Sequence, residues 1–183
     1  MSINSHKPRS ARKQPASSDF YQLLRTGTQA LQQGKLSQAM ELLEQAQQVE
    51  PGNADVSLNL AGAYILAKKF KKAIDLLEPL SQRDSQNPMV WTNLGAAYLG
   101  NPVLAKDEDH HKAIAAFEKA LEIDASTPNV AYNLGLIHFD RQDREKARHW
   151  FKRAIQANPQ DRDARNYLKK LVESNPHEAG TAG

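Results

Sequence analysis

The chain has 183 residues, of which 40% are hydrophobic and 25% are charged, and its 24 Lys and Arg exceed its 21 Asp and Glu by three charges. These values are typical of a globular protein with one or two domains and a buried core. The absence of cysteine excludes disulfides, thiolate nucleophiles and cysteine-based metal sites.

Residues 1–18 contain four basic residues and no acidic residue. The basic residues are Lys7, Arg9, Arg12 and Lys13. This segment carries +4, and the remaining residues carry −1. It is rich in Ser and Pro and poor in large aliphatic residues, which predicts a disordered tail. The first thirty residues lack the apolar core of a secretory signal, and no run approaches the ~20 apolar residues that cross a bilayer. We therefore expect a cytoplasmic protein without integral membrane association.

From residue 20 the sequence repeats in four units: 20–53, 54–87, 88–127 and 128–161. Three units have 34 residues and the third has 40, and each contains two helical stretches joined by a short polar turn. The first helices carry small residues at one register: Gly27, Ala61, Gly95 and Gly135. The second helices carry alanine at one register: Ala39, Ala73, Ala113 and Ala147. Small residues facing each other let two antiparallel helices pack closely, so each unit is predicted to be a helix hairpin.

The third unit shows the fullest pattern: Trp91, Leu94, Gly95, Tyr98, Ala113, Phe117 and Ala120. This pattern resembles the tetratricopeptide repeat (TPR) family, and the resemblance extends over residues 20–161. It implies an all-α fold, a right-handed superhelical stack of four TPR helix-turn-helix units. Each unit of such a stack contacts only its neighbours.

A capping helix is predicted over residues 162–174, where apolar side chains share one face: Ala164, Tyr167, Leu168, Leu171 and Val172. Such a helix covers the apolar flank of the last unit, which would otherwise face solvent. We expect the repeat domain to span residues 19–175, followed by a loose C-terminal tail at 176–183.

Two departures from the repeat affect the middle of the chain. Pro79 falls inside the second helix of unit two, which predicts a kink or a helix that ends near Glu78. The six extra residues of unit three fall within 100–111, where Gly100, Asn101 and Pro102 stop the first helix. Insertions in repeat proteins often lie on a binding face, so this loop is also a candidate partner contact.

The carboxylates and histidines at 107–111 allow two interpretations, an acidic start to the next helix or a metal site. His110 and His111 are adjacent, and adjacent side chains on a helix point about 100° apart. We therefore expect a helix start here and no bound metal.

A column of asparagines marks the candidate binding surface. Asn59, Asn93 and Asn133 occupy one register of the first helices, and Arg25 stands there in unit one. The resemblance implies that these helices line a concave groove. An asparagine amide offers donors and an acceptor that match an extended peptide backbone. Either the column binds peptide, or the asparagines are kept for local hydrogen bonds; the sequence leaves both interpretations open.

Several apolar residues surround this column on the same helices: Tyr21, Leu58, Met89, Tyr132 and Phe139. An apolar groove with a few polar groups suits a peptide segment or a helix of a partner. TPR domains that clamp the acidic C-terminus of chaperones use basic groove residues. Met89 and Asn93 stand at such positions here, so we do not expect a chaperone-tail carboxylate clamp.

No catalytic motif occurs, neither a nucleophile elbow, a zinc-protease signature nor a phosphate-binding loop. His138 replaces the tyrosine of the repeat pattern and is expected to be a packed, hydrogen-bonded core residue. We expect a non-enzymatic protein with no cofactor.

The sequence thus predicts a protein–protein interaction scaffold or adaptor whose groove binds a peptide ligand of unknown identity. One alternative is attachment to nucleic acid or to an anionic membrane through the basic tail. Four charges give only weak, salt-sensitive binding, so nucleic acid is not the expected partner. Another alternative is formation of a homo-oligomer through the edges of the repeat stack.

Overall fold

The computed structural model describes residues 18–101 and 104–173. Within these ranges the chain forms nine helices and no strand. The helices are α1 Ser18–Gln32, α2 Leu36–Val49, α3 Ala54–Leu66, α4 Phe70–Arg83, α5 Pro88–Leu99, α6 Asp107–Ile123, α7 Val130–Asp140, α8 Arg144–Ala157 and α9 Arg162–Glu173. The predicted tails at 1–18 and 176–183 lie outside the described residues, apart from Ser18, which begins α1. No described helix combines the length and the apolar character that a bilayer span requires.

The helices pair as hairpins, α1 with α2, α3 with α4, α5 with α6 and α7 with α8. The second helix of each hairpin also packs on the first helix of the next one, and α9 packs on α8. The fold is therefore an all-α solenoid of four hairpins closed by a ninth helix.

Glycine on the first helix permits the close approach within two of the hairpins. A Cβ atom at Gly95 would lie 2.7 Å from Cε1 of Phe117, and one at Gly135 would lie 2.6 Å from Cε1 of Phe151. Both distances are shorter than carbon atoms tolerate. The aromatic rings of α6 and α8 thus occupy space that any larger residue on α5 and α7 would fill.

The last residue of three units caps the helix that follows it. The side chains of Asn53, Asn87 and Asp161 accept hydrogen bonds from the backbone N–H groups of Val56, Met89 and Ala164, at 3.2, 3.1 and 2.9 Å. These side-chain oxygens satisfy donors that the first helical turn leaves unpaired. The turn that follows a unit is therefore encoded at the same register in three of the four units.

The two departures from the repeat have different outcomes. Helix α4 continues through Pro79 to Arg83, so the predicted end near Glu78 is wrong. Pro79 lies just before the last turn of α4, and its missing N–H removes a single backbone hydrogen bond. Helix α6 begins at Asp107, and the backbone N–H of Lys106 donates to Oδ2 of Asp109 at 3.0 Å. The acidic segment thus starts a helix, as its composition predicts.

The core consists of apolar clusters joined by single aromatic side chains. Trp91 and Tyr98 pack against both the cluster of the first three hairpins and the cluster between α5, α6 and α7. Trp150 links the latter to the cluster beneath α9. The C-terminal helix α9 is held there by Tyr167, which stacks on Phe151 with ring centroids 5.1 Å apart.

Candidate functional site

The asparagine column is carried by the first helices of units two, three and four. All three side chains are half-buried on α3, α5 and α7. The amide nitrogen of Asn59 donates to the backbone carbonyl of Asp55 at 2.8 Å, one turn earlier in α3. Part of this amide is therefore engaged in a local hydrogen bond.

Asn93 and Asn133 differ from Asn59 in this respect. Neither side chain makes a hydrogen bond to any residue that the structure describes. Arg25, at the matching position of α1, is exposed and likewise forms no ion pair with a described residue. Two half-buried amides and one guanidinium thus retain hydrogen-bonding capacity at the register of the column.

Three of the apolar residues predicted for the groove lie on the first three hairpins. The side chain of Tyr21 is 62% exposed and that of Met89 is 39% exposed. Leu58 is half-buried and packs against the core cluster of the first three hairpins. The exposed parts of the Tyr21 and Met89 side chains therefore do not pack in the core.

Tyr132 and Phe139, the other two predicted groove residues, pack against the capping helix. Their ring centroids lie 6.3 and 5.1 Å from that of Tyr167. Burial raises the pKa of Tyr132 to about 12. The structure thus places these two residues at the junction between the fourth hairpin and α9.

The histidines of the inserted segment differ in exposure. The side chain of His110 is 3% exposed, with Nε2 3.5 Å from Oδ2 of Asp140. His111 is exposed, and its Nε2 lies 3.4 Å from a guanidinium nitrogen of Arg141. Among the described residues, no three His, Asp or Glu side chains converge as metal ligands.

His138 of α7 is packed as expected, but its hydrogen bonding differs from the expectation. Its Nδ1 lies 3.6 Å from Oδ2 of Asp143 and has no hydrogen-bond partner in the part of the chain that the structure describes. Burial lowers the pKa of this imidazole below its usual 6.5, against the opposing effect of Asp143. His138 is therefore favoured in its neutral form.

The near-neutral charge of the repeat region conceals an uneven distribution. Residues 18–140 contain ten Lys and Arg against fifteen Asp and Glu, a net charge of −5. Residues 141–173 contain ten against five, a net charge of +5. Lys152 of α8 and Arg162 of α9 are exposed and form no ion pair with a described residue. Residues 141–173, the last two helices, are therefore basic, and the rest of the stack is acidic.

A large cavity among the described residues lies away from the asparagine column. It has a volume of about 670 Å³ and lies between α4 and α6, over the face of α5 that carries Trp91, Leu94 and Tyr98. In the sequence these three residues are recognisable only as repeat positions. The signal that would have revealed the cavity is Ala116, which stands at a register occupied by Leu76 and Trp150 in the neighbouring units.

Comparisons with known proteins agree with the repeat pattern. A family model described as "Tetratricopeptide repeat" matches residues 30–97 and 104–171. A search of curated protein sequences gives no match.

Several solved structures share the fold. TTC0263, a thermophilic TPR protein of Thermus thermophilus, is 21% identical with a TM-score of 0.74, over 85% of this chain and 82% of that one. MamA from strain MSR-1 is 22% identical with a TM-score of 0.68, over 90% and 92%. MamA from Desulfovibrio magneticus RS-1 is 20% identical with a TM-score of 0.65, over 80% of each chain. At these identities the likeness establishes the fold alone.

Proposed function

Because the chain belongs to the tetratricopeptide repeat family, we propose that it is a non-catalytic scaffold that binds a peptide segment of a partner protein along the asparagine column. The observation that carries this proposal is the pair of half-buried amides, Asn93 and Asn133, without hydrogen-bond partners among the described residues. A half-buried amide without a partner has lost part of its hydration, so a ligand that pairs with it gains a hydrogen bond at low desolvation cost.

The side chains around the column define the kind of peptide that fits. The amides pair with backbone C=O and N–H groups, which every extended peptide offers at regular intervals. The exposed ring of Tyr21 and the exposed thioether of Met89 supply apolar contact for its side chains. Arg25 offers a bidentate site for a carboxylate or a backbone carbonyl near one end of the peptide.

The three asparagines are not expected to contribute equally. Asn59 already donates to Asp55, so its replacement removes little binding energy. A net hydrogen bond is worth about 1 kcal/mol, so the double variant Asn93→Ala/Asn133→Ala should weaken peptide binding about 30-fold. Peptides selected from a random library against the wild-type chain, and measured by calorimetry, provide the test.

The variant Gln45→Ala/Gln156→Ala is a matched control, because it also removes two side-chain amides. Both of these amides are exposed and lie on second helices. These glutamines lie on α2 and α8, so the control should bind the selected peptides with the wild-type Kd. Equal Kd values for the wild type and the asparagine variant would show that the column only supports its own helices.

A further inference from the structure

The cavity between α4 and α6 is a second, independent candidate binding site. Its floor is formed by Trp91, Leu94 and Tyr98 of α5, and its walls are formed by Pro79 of α4 and Ala116 of α6. At about 670 Å³ it falls within the range of sites that accept a ligand or the anchoring side chains of a partner. We call this space the α4–α6 furrow.

The furrow is open because of one small residue. The repeat places Leu76 of α4, Ala116 of α6 and Trp150 of α8 at the same position of successive second helices. Leu76 and Trp150 are half-buried and pack into the core at the neighbouring junctions. Ala116 leaves that volume unfilled, and the floor beneath it is aromatic because Trp91 stands where units one, two and four carry Leu23, Ser57 and Ala131.

The furrow and the asparagine column occupy different faces of α5. At 100° per residue, the three floor residues lie within about 60° of one another around the helix. Asn93 lies about 160° from Trp91, about 140° from Tyr98 and about 100° from Leu94 around the helix. Asn93 is not among the residues that line the furrow, so a ligand in the furrow occupies a different surface from the column.

Lysines mark one rim of the furrow. Lys112 and Lys119 lie two turns apart on α6, a distance of about 10 Å along the helix. Each forms an ion pair within α6, with Glu108 at 2.6 Å and with Glu122 at 2.8 Å. Such exposed pairs stabilise a helix only slightly, so carboxylates of a ligand can replace these partners at low cost.

The opposite rim carries one carboxylate, that of Glu78. Glu78 of α4 accepts a hydrogen bond from the hydroxyl of Tyr98 at 2.8 Å, which holds this carboxylate against the α5 face. The lining side chains thus combine two lysines with one engaged glutamate around an apolar floor. On the α6 side, this arrangement is complementary to an apolar group flanked by acidic residues.

We propose that the α4–α6 furrow binds an amphipathic helix of a partner protein, with a bulky apolar residue over Trp91 and Ala116 and acidic residues facing Lys112 and Lys119. The furrow runs between two helices of 14 and 17 residues, and a third helix packs into such a groove through side chains at i, i+4 and i+7. The spacing of the lysines sets the matching spacing of the acidic residues at two turns.

The fluorescence emission of Trp91 reports directly on ligand binding in the furrow. The chain has two tryptophans, so the variant Trp150→Phe leaves Trp91 as the only one. The probes are alanine-based helical peptides of about 18 residues with a Leu, Met or Phe anchor and flanking Glu residues seven positions apart. We expect saturable changes in Trp91 emission, and a Kd that rises at least tenfold when the flanking Glu residues are replaced by Lys.

Filling the furrow should abolish this response. Ala116→Leu copies the residue that α4 carries at this register, and Ala115→Leu narrows the same space from an exposed position that tolerates a larger side chain. Each should raise the Kd at least tenfold, with circular dichroism confirming that the fold is kept. The double variant Asn93→Ala/Asn133→Ala should leave this Kd unchanged, which separates the furrow from the proposed peptide groove.

Three results would overturn the proposal. One is the absence of a saturable Trp91 response to any of the peptides. Another is a Kd that filling the furrow does not change, or that the asparagine variant raises. The third is saturable binding of 8-anilinonaphthalene-1-sulfonate together with no peptide binding, which would assign the furrow to a small amphipathic anion instead.

Discussion

In the second and third hairpins, a tyrosine forms a hydrogen bond with a glutamate of the preceding hairpin. The hydroxyl of Tyr64 donates to Glu44 at 2.6 Å, and that of Tyr98 donates to Glu78 at 2.8 Å. Tyrosine and glutamate are twenty residues apart in both pairs. In the fourth hairpin His138 holds the tyrosine position, so this hydrogen bond between hairpins is missing.

Replacing His138 by tyrosine should restore the pair, because Glu118 lies twenty residues earlier and borders the same cavity. We expect the variant to gain about 1 kcal/mol in free energy of unfolding at pH 8. Burial lowers the pKa of His138, so the wild type loses stability as the pH falls below 6.5, because the unfolded chain takes up the proton more readily. The variant should lose less, as measured by urea denaturation between pH 8 and pH 5.

The exposed His149 on α8 provides the control for this prediction. His149→Tyr should leave the free energy of unfolding and its pH dependence near the wild-type values. An equal acid-induced loss in the wild type and in His138→Tyr would rule out His138 as its source.

At the scale of the element, the turn within a hairpin repeats one backbone conformation. Gly34, Lys68 and Gln142 stand at the same position of units one, two and four, with φ angles of 71°, 58° and 59°. The next backbone N–H in each turn bonds to a carbonyl five residues earlier, at 2.8 to 2.9 Å. This left-handed conformation costs roughly 1 kcal/mol or more for a residue with a Cβ atom.

The same turn therefore predicts opposite effects in two units. Gly34→Ala should lower the free energy of unfolding by about 1 kcal/mol, although its Cβ would meet no atom within 4 Å. Lys68→Gly should raise it by a similar amount. Thermal denaturation measures both changes, and two changes of the same sign would contradict this account of the turn.

The helices could be predicted from the sequence because their signals recur at fixed positions. The small residues that permit close packing identify each hairpin, and the acidic segment at 107–109 marks the start of α6. The course of α4 through Pro79 could not be predicted, because tertiary packing decides whether a proline inside a helix ends it.

The candidate sites were predictable only in part. Register identifies Asn93 and Asn133, but their lack of partners depends on side-chain positions that the sequence does not contain. The contact of Tyr132 and Phe139 with Tyr167 arises from how α9 folds back on the last hairpin. The furrow depends on the size of one residue, Ala116, relative to its counterparts in other units.

At the scale of the whole molecule, a few side chains couple neighbouring core clusters of the stack. Trp150 is the aromatic residue that links the cluster between α5, α6 and α7 to the cluster beneath α9. In a repeat stack the coupling between neighbours determines whether the end unfolds with the rest or by itself.

Trp150→Ala should uncouple the C-terminal end from the remainder. We expect amide hydrogen exchange in α8 and α9 to become at least tenfold faster, with little change in α1–α4, since a large core ring is lost. The matched variant Trp91→Ala should instead increase exchange in α4–α6. Uniform acceleration along the chain in both variants would show that the stack unfolds as one unit.

The separation of charge along the stack gives the molecule an electric dipole. Its acidic portion, residues 18–140, and its basic portion, residues 141–173, carry equal and opposite net charges. An anionic partner diffusing toward the protein is therefore attracted to the α8–α9 end before any contact forms. Such steering acts on the association rate and weakens as ionic strength rises, whereas the uncharged contacts along the asparagine column are insensitive to salt.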